Sequence, residues 1–172
     1  MTLFWSEVAW VLLDMDGTLL DKHFDDYFWE TLVPEEYARR QGMDLELARD
    51  LVFARYQREE GTLNWTLVTN AHYKTLNLKM NHTGLLGYFD AVVSSFDLGA
   101  PKEEVRFWEI LRHRLNFNGH HALLVDDNAE ALAAARSFGI KYAFFKAKSS
   151  SRLDAATHPD FPSIESFREL MD

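Results

Sequence analysis

Cysteine is absent from the 172 residues, and with it go disulfide bonds, thiolate metal sites and a thiol nucleophile. Such a chain suits a reducing compartment, so a cytoplasmic protein is expected. No apolar stretch reaches the ~18 residues that a membrane-spanning helix needs. The apolar opening, Met1 to Met15, has no basic flank and is interrupted by Glu7, so it predicts a buried strand with its lead-in rather than a secretion signal. Runs of Lys and Arg are lacking too. Acidic residues outnumber basic ones 27 to 18, for a formal charge of −9, and nothing in the chain could track a phosphate backbone, so nucleic acid is not an expected partner. A small polyanionic substrate stays open, because a metal ion and a few local donors can reverse the field at one site.

What the sequence does hold is apolar material, 47% of it, ample for one continuous core. Val8 to Met15 is a short branched-chain run ending in carboxylates and Gly17, the pattern of a fully buried parallel strand followed by a turn. Thr66 to Thr69, Ala91 to Ser94, His121 to Val125 and Ile140 to Phe145 predict four more strands. Helical patterns fall between them over Lys74 to His82, Glu103 to Leu115 and Ala129 to Phe138, the last with Asp127 or Asn128 as cap and Gly139 as stop. Alternation of this kind predicts an α/β fold with an open parallel sheet, in which functional groups gather at the carboxyl ends of the strands.

Residues 21–65 break that rhythm. They contain no good strand but show helix-like stretches at Asp25 to Leu32 and Met43 to Gln57, and they predict an inserted helical cap between a core of residues 1–20 and 66–172. Phe24, Tyr27, Phe28 and Trp29 cluster at its start, which points first to packing. Asn64-Trp65 runs into Thr66 with no turn signal, as though cap and strand had lost a segment at the Trp65–Thr66 junction. Lys146 to Arg152 is expected to be a mobile loop.

Four constellations close four of the predicted strands. In Asp14-Met15-Asp16-Gly17-Thr18, two carboxylates at i and i+2 on an extended chain point the same way and can converge on one reacting centre. Gly17 then permits a sharp turn that exposes backbone N–H groups to an anion. Thr69-Asn70 places a hydroxyl at a strand end, where it can donate to a phosphate oxygen. Lys102, after a Gly-Ala-Pro turn, can neutralise a carboxylate nucleophile and a phosphoryl group. Asp126 and Asp127 are adjacent carboxylates that repel each other, so a cation is expected on at least one of them, while the other can cap the next helix. Magnesium suits them, since it takes hard oxygen ligands and pairs with one or two carboxylates plus a phosphate.

In that order, DMDGT, LVTN, GAPK and LLVDDN resemble the four signature motifs of the haloacid dehalogenase (HAD) superfamily. The resemblance implies a Rossmann-like core with a small, incomplete helical cap. Within the superfamily, FDDYFWETLVP, VTNAH and FDLGAPKEEVRFW are similar to stretches of the bacterial GMP/IMP nucleotidases. The implied activity is hydrolysis of a small phosphate ester, a purine nucleoside 5′-monophosphate. Asp14 would be the nucleophile and Asp16 the acid and base; Thr69, Asn70 and Lys102 would bind the phosphoryl group. Mg2+ would be held by Asp14, the backbone carbonyl of Asp16, Asp126 and Asp127. A phosphatase for phosphoglycolate or sugar phosphates, a receiver-like phosphoacceptor and a HAD-fold binding protein without catalysis are the alternatives. Glu103 departs from the superfamily, whose members commonly carry proline directly after the motif lysine.

Overall fold

The computed structural model describes residues 3–20, 33–51, 63–150 and 154–170. Six parallel strands form one sheet in the order β3-β2-β1-β4-β5-β6: β1 Trp10–Leu13, β2 Asn64–Thr69, β3 Ala91–Ser94, β4 Ala122–Asp126, β5 Tyr142–Lys146 and β6 Ser163–Ile164. The expected α/β fold is present. The two-residue β6 has too short a pattern to be legible in the sequence.

Both faces of the sheet are covered, which explains why its central strands are continuous apolar runs rather than alternating ones. Successive side chains of β1 point to opposite faces. Leu12 packs with Val68, Leu124, Phe107, Trp108 and Leu132, under the helices Val105–Leu115 and Ala129–Phe138. Val11 and Leu13 face the other way, toward Leu123, Val125 and Phe144, and Leu67 continues that face beneath Leu76 and Met80 of the helix Tyr73–Thr83. Because the order runs outward in both directions from the β1–β4 pair, the helices leave a crevice at the carboxyl ends of those two strands.

The caps are as local chemistry requires. Asn128 Oδ1 accepts from the Glu130 N–H at 2.9 Å to start the helix Ala129–Phe138, so Asn128 rather than Asp127 is its cap. Gly139, at φ +115°, ends it. His72 opens the helix Tyr73–Thr83, its Nδ1 accepting from the Lys74 N–H at 3.3 Å.

Two boundaries differ from expectation: β2 starts two residues earlier than Thr66, and Lys146 belongs to β5. β2 begins at Asn64 and pairs with β1 without a break across the Trp65–Thr66 junction, Val11 opposite Trp65 and Leu12 opposite Thr66. The strand is six residues long, and the polar and aromatic residues at its half-buried start disguised its first two positions. Lys146 ends β5 and is buried, and its Nζ donates to the carbonyls of Lys148 at 2.7 Å and Glu165 at 2.8 Å; residues 151 and 152 of the expected loop lie outside the described residues. Between β1 and β2 lie a helix, Val33–Gln41, and a helical segment over residues 45–51, where Asp44 Oδ1 accepts from the Glu46 N–H at 2.9 Å. The sequence reading missed the first of these, although Pro34 marks its first turn. The expected helix at Asp25 to Leu32 and the aromatic cluster at Phe24 to Trp29 lie outside the described residues.

Candidate active site

A cleft of about 160 Å³ opens at the carboxyl edge of the sheet and is lined by Asp14, Asp16, Thr69, Asn70, Lys102, Asp126 and Asp127, with Ala71 and Asn128. Every site residue expected from the sequence therefore reaches one cavity. β1 and β4 are neighbours, so the residues that follow or end them, Asp14 and Asp126, stand side by side; the Asp14 N–H continues the ladder onto the Val125 carbonyl at 3.1 Å.

On the cleft floor, Lys102 Nζ donates to Asp14 Oδ1 at 2.5 Å and to Asp126 Oδ2 at 2.7 Å. All three groups are almost withdrawn from water, at 5% exposure for Asp14, 3% for Lys102 and 0% for Asp126. A charge so buried is costly unless paired. Burial raises Asp14, with Lys102 opposing, and pushes Asp126 up to about 7, with Lys102 pulling back and the Asp14 charge adding to the rise. Asp127, half-buried, is raised by burial and then by Asp14. For Lys102, burial works against the ammonium, but Asp126 and Asp14 outweigh it and its pKa is raised. The lysine is charged throughout the physiological range.

The main chain of Lys102 is held as firmly as its side chain. Its N–H donates to Asn70 Oδ1 at 3.1 Å, and its carbonyl accepts from Nε1 of the fully buried Trp108 at 2.8 Å. Thr69, buried, uses its Oγ1 to accept from the Ala71 N–H at 3.0 Å, which leaves its hydroxyl hydrogen for another acceptor. Gly17 has φ +84°, a left-handed turn that favours glycine, and a Cβ there would push the Asp127 carboxylate aside. Asp16 is exposed at the cleft mouth and is ion-paired with Lys79 of the helix Tyr73–Thr83. Sequence reading did not find Lys79, since nothing local links two residues on different elements.

Asp14, Asp126 and Asp127 each offer a carboxylate oxygen, and these oxygens lie within 4.8 Å of one another. Three carboxylates against one ammonium leave an excess of negative charge in a partly closed cleft, and the donors are all hard oxygens, so the set fits a divalent cation of the magnesium type. Unfolded aspartates titrate near ~3.9. Between about pH 4 and 7 the folded, metal-free protein thus holds protons on these raised carboxyls that the unfolded chain has released, so its stability is greatest at the acid end of that window and falls as pH rises toward about 7. The unfolding temperature in EDTA should fall between pH 5 and 7.5, and magnesium should reverse the loss at the upper pH. A transition that rises across that range in EDTA would contradict the assignment of the raised carboxyls.

A haloacid dehalogenase-like hydrolase family model matches residues 48–139. The chain belongs to the haloacid dehalogenase-like hydrolases. It is 29% identical to the GMP/IMP nucleotidase YrfG of Escherichia coli (strain K12), in an alignment over 216 positions that takes in 99% of this chain and 97% of that protein. The alignment is longer than the chain, so the relative carries residues with no counterpart here. Among solved structures, the fold is similar to the HAD-hydrolase YfnB of Bacillus subtilis bound to magnesium (TM-score 0.63, 16% identity, 95% of this chain and 96% of that one). It is also similar to a HAD phosphatase of Thermococcus onnurineus (TM-score 0.58, 21% identity, 93% and 94%) and to the L-2-haloacid dehalogenase of Xanthobacter autotrophicus (TM-score 0.60, 17% identity, 95% and 96%). Among the described residues no helix is long and apolar enough to cross a membrane.

Proposed function

We propose that the protein is a magnesium-dependent phosphomonoester hydrolase that works through an aspartyl-phosphate on Asp14, with purine nucleoside 5′-monophosphates of the GMP and IMP type as substrates. The observation that carries the chemistry is the Lys102 ammonium bridging Asp14 and Asp126 on the cleft floor. An anionic nucleophile must meet an anionic ester, and a fixed cation beside the nucleophile lowers that barrier. The substrate assignment rests on the nucleotidase relative, which aligns over nearly the whole of both chains.

In the first step, an Asp14 carboxylate oxygen attacks phosphorus, the bond to the ester oxygen breaks, and that oxygen takes a proton from Asp16 as it leaves. In the second, water attacks the aspartyl-phosphate, Asp16 takes its proton, and Asp14 and inorganic phosphate are released. The Lys102 ammonium and the Thr69 hydroxyl donate to the transferring phosphoryl oxygens, and Asn70 lines the cleft beside them. Asp14, Asp126 and Asp127, with the Asp16 carbonyl, would hold magnesium, which when bound neutralises phosphoryl charge. Displacement of halide would require no proton donor for the leaving group. The second carboxylate, Asp16, at the cleft mouth therefore favours phosphate esters over haloacids, although dehalogenases share the fold.

The residues between β1 and β2, without Asn64 and Trp65, which belong to β2, would form a small helical cap, a reading supported by the helix Val33–Gln41 and the helical segment over residues 45–51. A cytoplasmic site of action is supported by the cysteine-free sequence. Phosphate release from purine and pyrimidine 5′-monophosphates, phosphoglycolate and hexose phosphates, with Mg2+ and with EDTA, tests the whole reading. Purine nucleotides should turn over fastest and EDTA should stop release. Faster turnover of phosphoglycolate or a hexose phosphate overturns the substrate class, and release from none of the esters overturns the activity.

A further inference from the structure

Glu103 follows Lys102 directly but is not among the residues that line the cleft, and its carboxylate is the meeting point of two amides that do. It accepts from Asn70 Nδ2 at 2.9 Å on both oxygens and from Asn128 Nδ2 at 2.6 Å. Neither amide is free to turn over. Asn70 must present Oδ1 to the Lys102 N–H at 3.1 Å, and Asn128 must present Oδ1 to the Glu130 N–H at 2.9 Å, so backbone donors fix both NH2 groups toward residue 103. The group between them has to accept at least twice and donate nothing, a requirement that a carboxylate meets and that a carboxamide does not.

Three loops are joined at this point. Asn70 follows β2, Glu103 belongs to the connection that begins after β3, and Asn128 stands beyond β4, where its N–H donates to Asp126 Oδ1 at 2.9 Å. We propose that Glu103 is a positioning residue for the hydrolysis, acting through Asn70 on the main chain of Lys102 and through Asn128 on the turn that carries Asp126 and Asp127. The inference rests on the phosphatase reading above. Glu103 does not assist substrate binding by its charge, since a carboxylate close to a phosphate site adds repulsion. What it contributes is geometric: the ammonium, which stabilises charge only where it is aimed, and the acidic pair are held to one another across loops that share no secondary structure.

A charge-swap cycle tests this, with kcat measured on an activated aryl phosphate and on a purine nucleotide in saturating Mg2+. Glu103→Gln sets a donor against one of the two amides, and kcat should fall by about 10- to 100-fold on both esters, as small misplacements of catalytic groups do. Asn128→Asp alone sets two carboxylates face to face and should lower kcat similarly. The combined variant restores complementarity, because the new carboxamide can donate toward position 128 while accepting from Asn70, and a new carboxylate at 128 can still cap the helix. It should run at least about fivefold faster than either single variant. A purely structural role would move unfolding temperature without this recovery. The proposal fails if either single variant keeps more than about half of the wild-type kcat, or if the combined variant is no faster than the slower single. A wild-type protein inactive on both esters overturns the phosphatase reading and this inference with it; an active one indifferent to the cycle overturns the inference alone.

Discussion

Asp14→Asn should abolish turnover, lowering kcat by about 10⁴-fold or more, while leaving the fold intact. The amide has the shape of the carboxylate but cannot attack phosphorus, so no aspartyl-phosphate forms, and only the orienting effect of Lys102 and the cleft remains. Loss of the fold is not expected, because Lys102 keeps its second partner at 2.7 Å, Asp126 Oδ2. Removal of the Asp14 charge also removes one of the influences that raise Asp126 and Asp127. In the metal-free protein near neutral pH, three buried or half-buried carboxylates become two, and the unfolding temperature should hold or rise. Turnover of a purine nucleotide, unfolding in EDTA, and the absence from the variant of the acid-stable, hydroxylamine-labile label that wild type takes up from radiolabelled substrate check the three parts. Activity above about one per cent of wild type in this variant would remove Asp14 from the nucleophile role.

The parts of this architecture that could be read from sequence are those written in consecutive residues. The branched runs of β1, β3 and β4 are legible because strands covered on both faces must be continuously apolar. The site residues are legible for a related reason: all but Lys102 end or closely follow a strand, Lys102 follows the short helix Ser95–Leu98 and a Gly-Ala-Pro turn after β3, and a parallel sheet delivers its strand ends to one edge, where all seven line one cleft. What sequence could not supply is which residues meet across elements. Lys79 reaches Asp16 from a helix 63 positions away, and Glu103 reads as an ordinary first-turn acid although its carboxylate faces Asn70 and Asn128 instead. The helix Val105–Leu115 starts two residues beyond Glu103. β2 extends two residues ahead of its apolar run, where Asn64 is a poor strand former. Its N–H nonetheless joins the ladder on the Ala9 carbonyl at 3.0 Å, and its side-chain amide donates there too at 3.2 Å.

Lys102→Met should be damaging in two separable ways. For activity, the loss of a fixed cation beside the nucleophile and the phosphoryl group should lower kcat by about 10²- to 10³-fold, the scale seen when one preorganised charge-stabilising donor is removed. For stability, the ammonium compensates two carboxylates at 5% and 0% exposure, and removing one member of such a cluster costs about 3–5 kcal/mol because the remaining charges are left buried and unpaired. The sign of the pH dependence follows from the same groups. Lys102 opposes the rise of both Asp14 and Asp126, so without it both carboxyls move further above the unfolded value of ~3.9. Near pH 4 both are protonated in the folded variant and the loss is small; as pH rises through and beyond 7 they must ionise without a partner, and the deficit relative to wild type grows. Magnesium should restore part of the stability at high pH, since it replaces the missing positive charge, but not the turnover, since it does not replace a donor fixed on both sides of its own main chain. Unfolding temperatures of both proteins at pH 5 and 8, with EDTA and with Mg2+, provide the comparison. A variant as stable as wild type at pH 8 in EDTA would show that the Asp14–Lys102–Asp126 cluster is not the electrostatic centre on which the proposed chemistry depends.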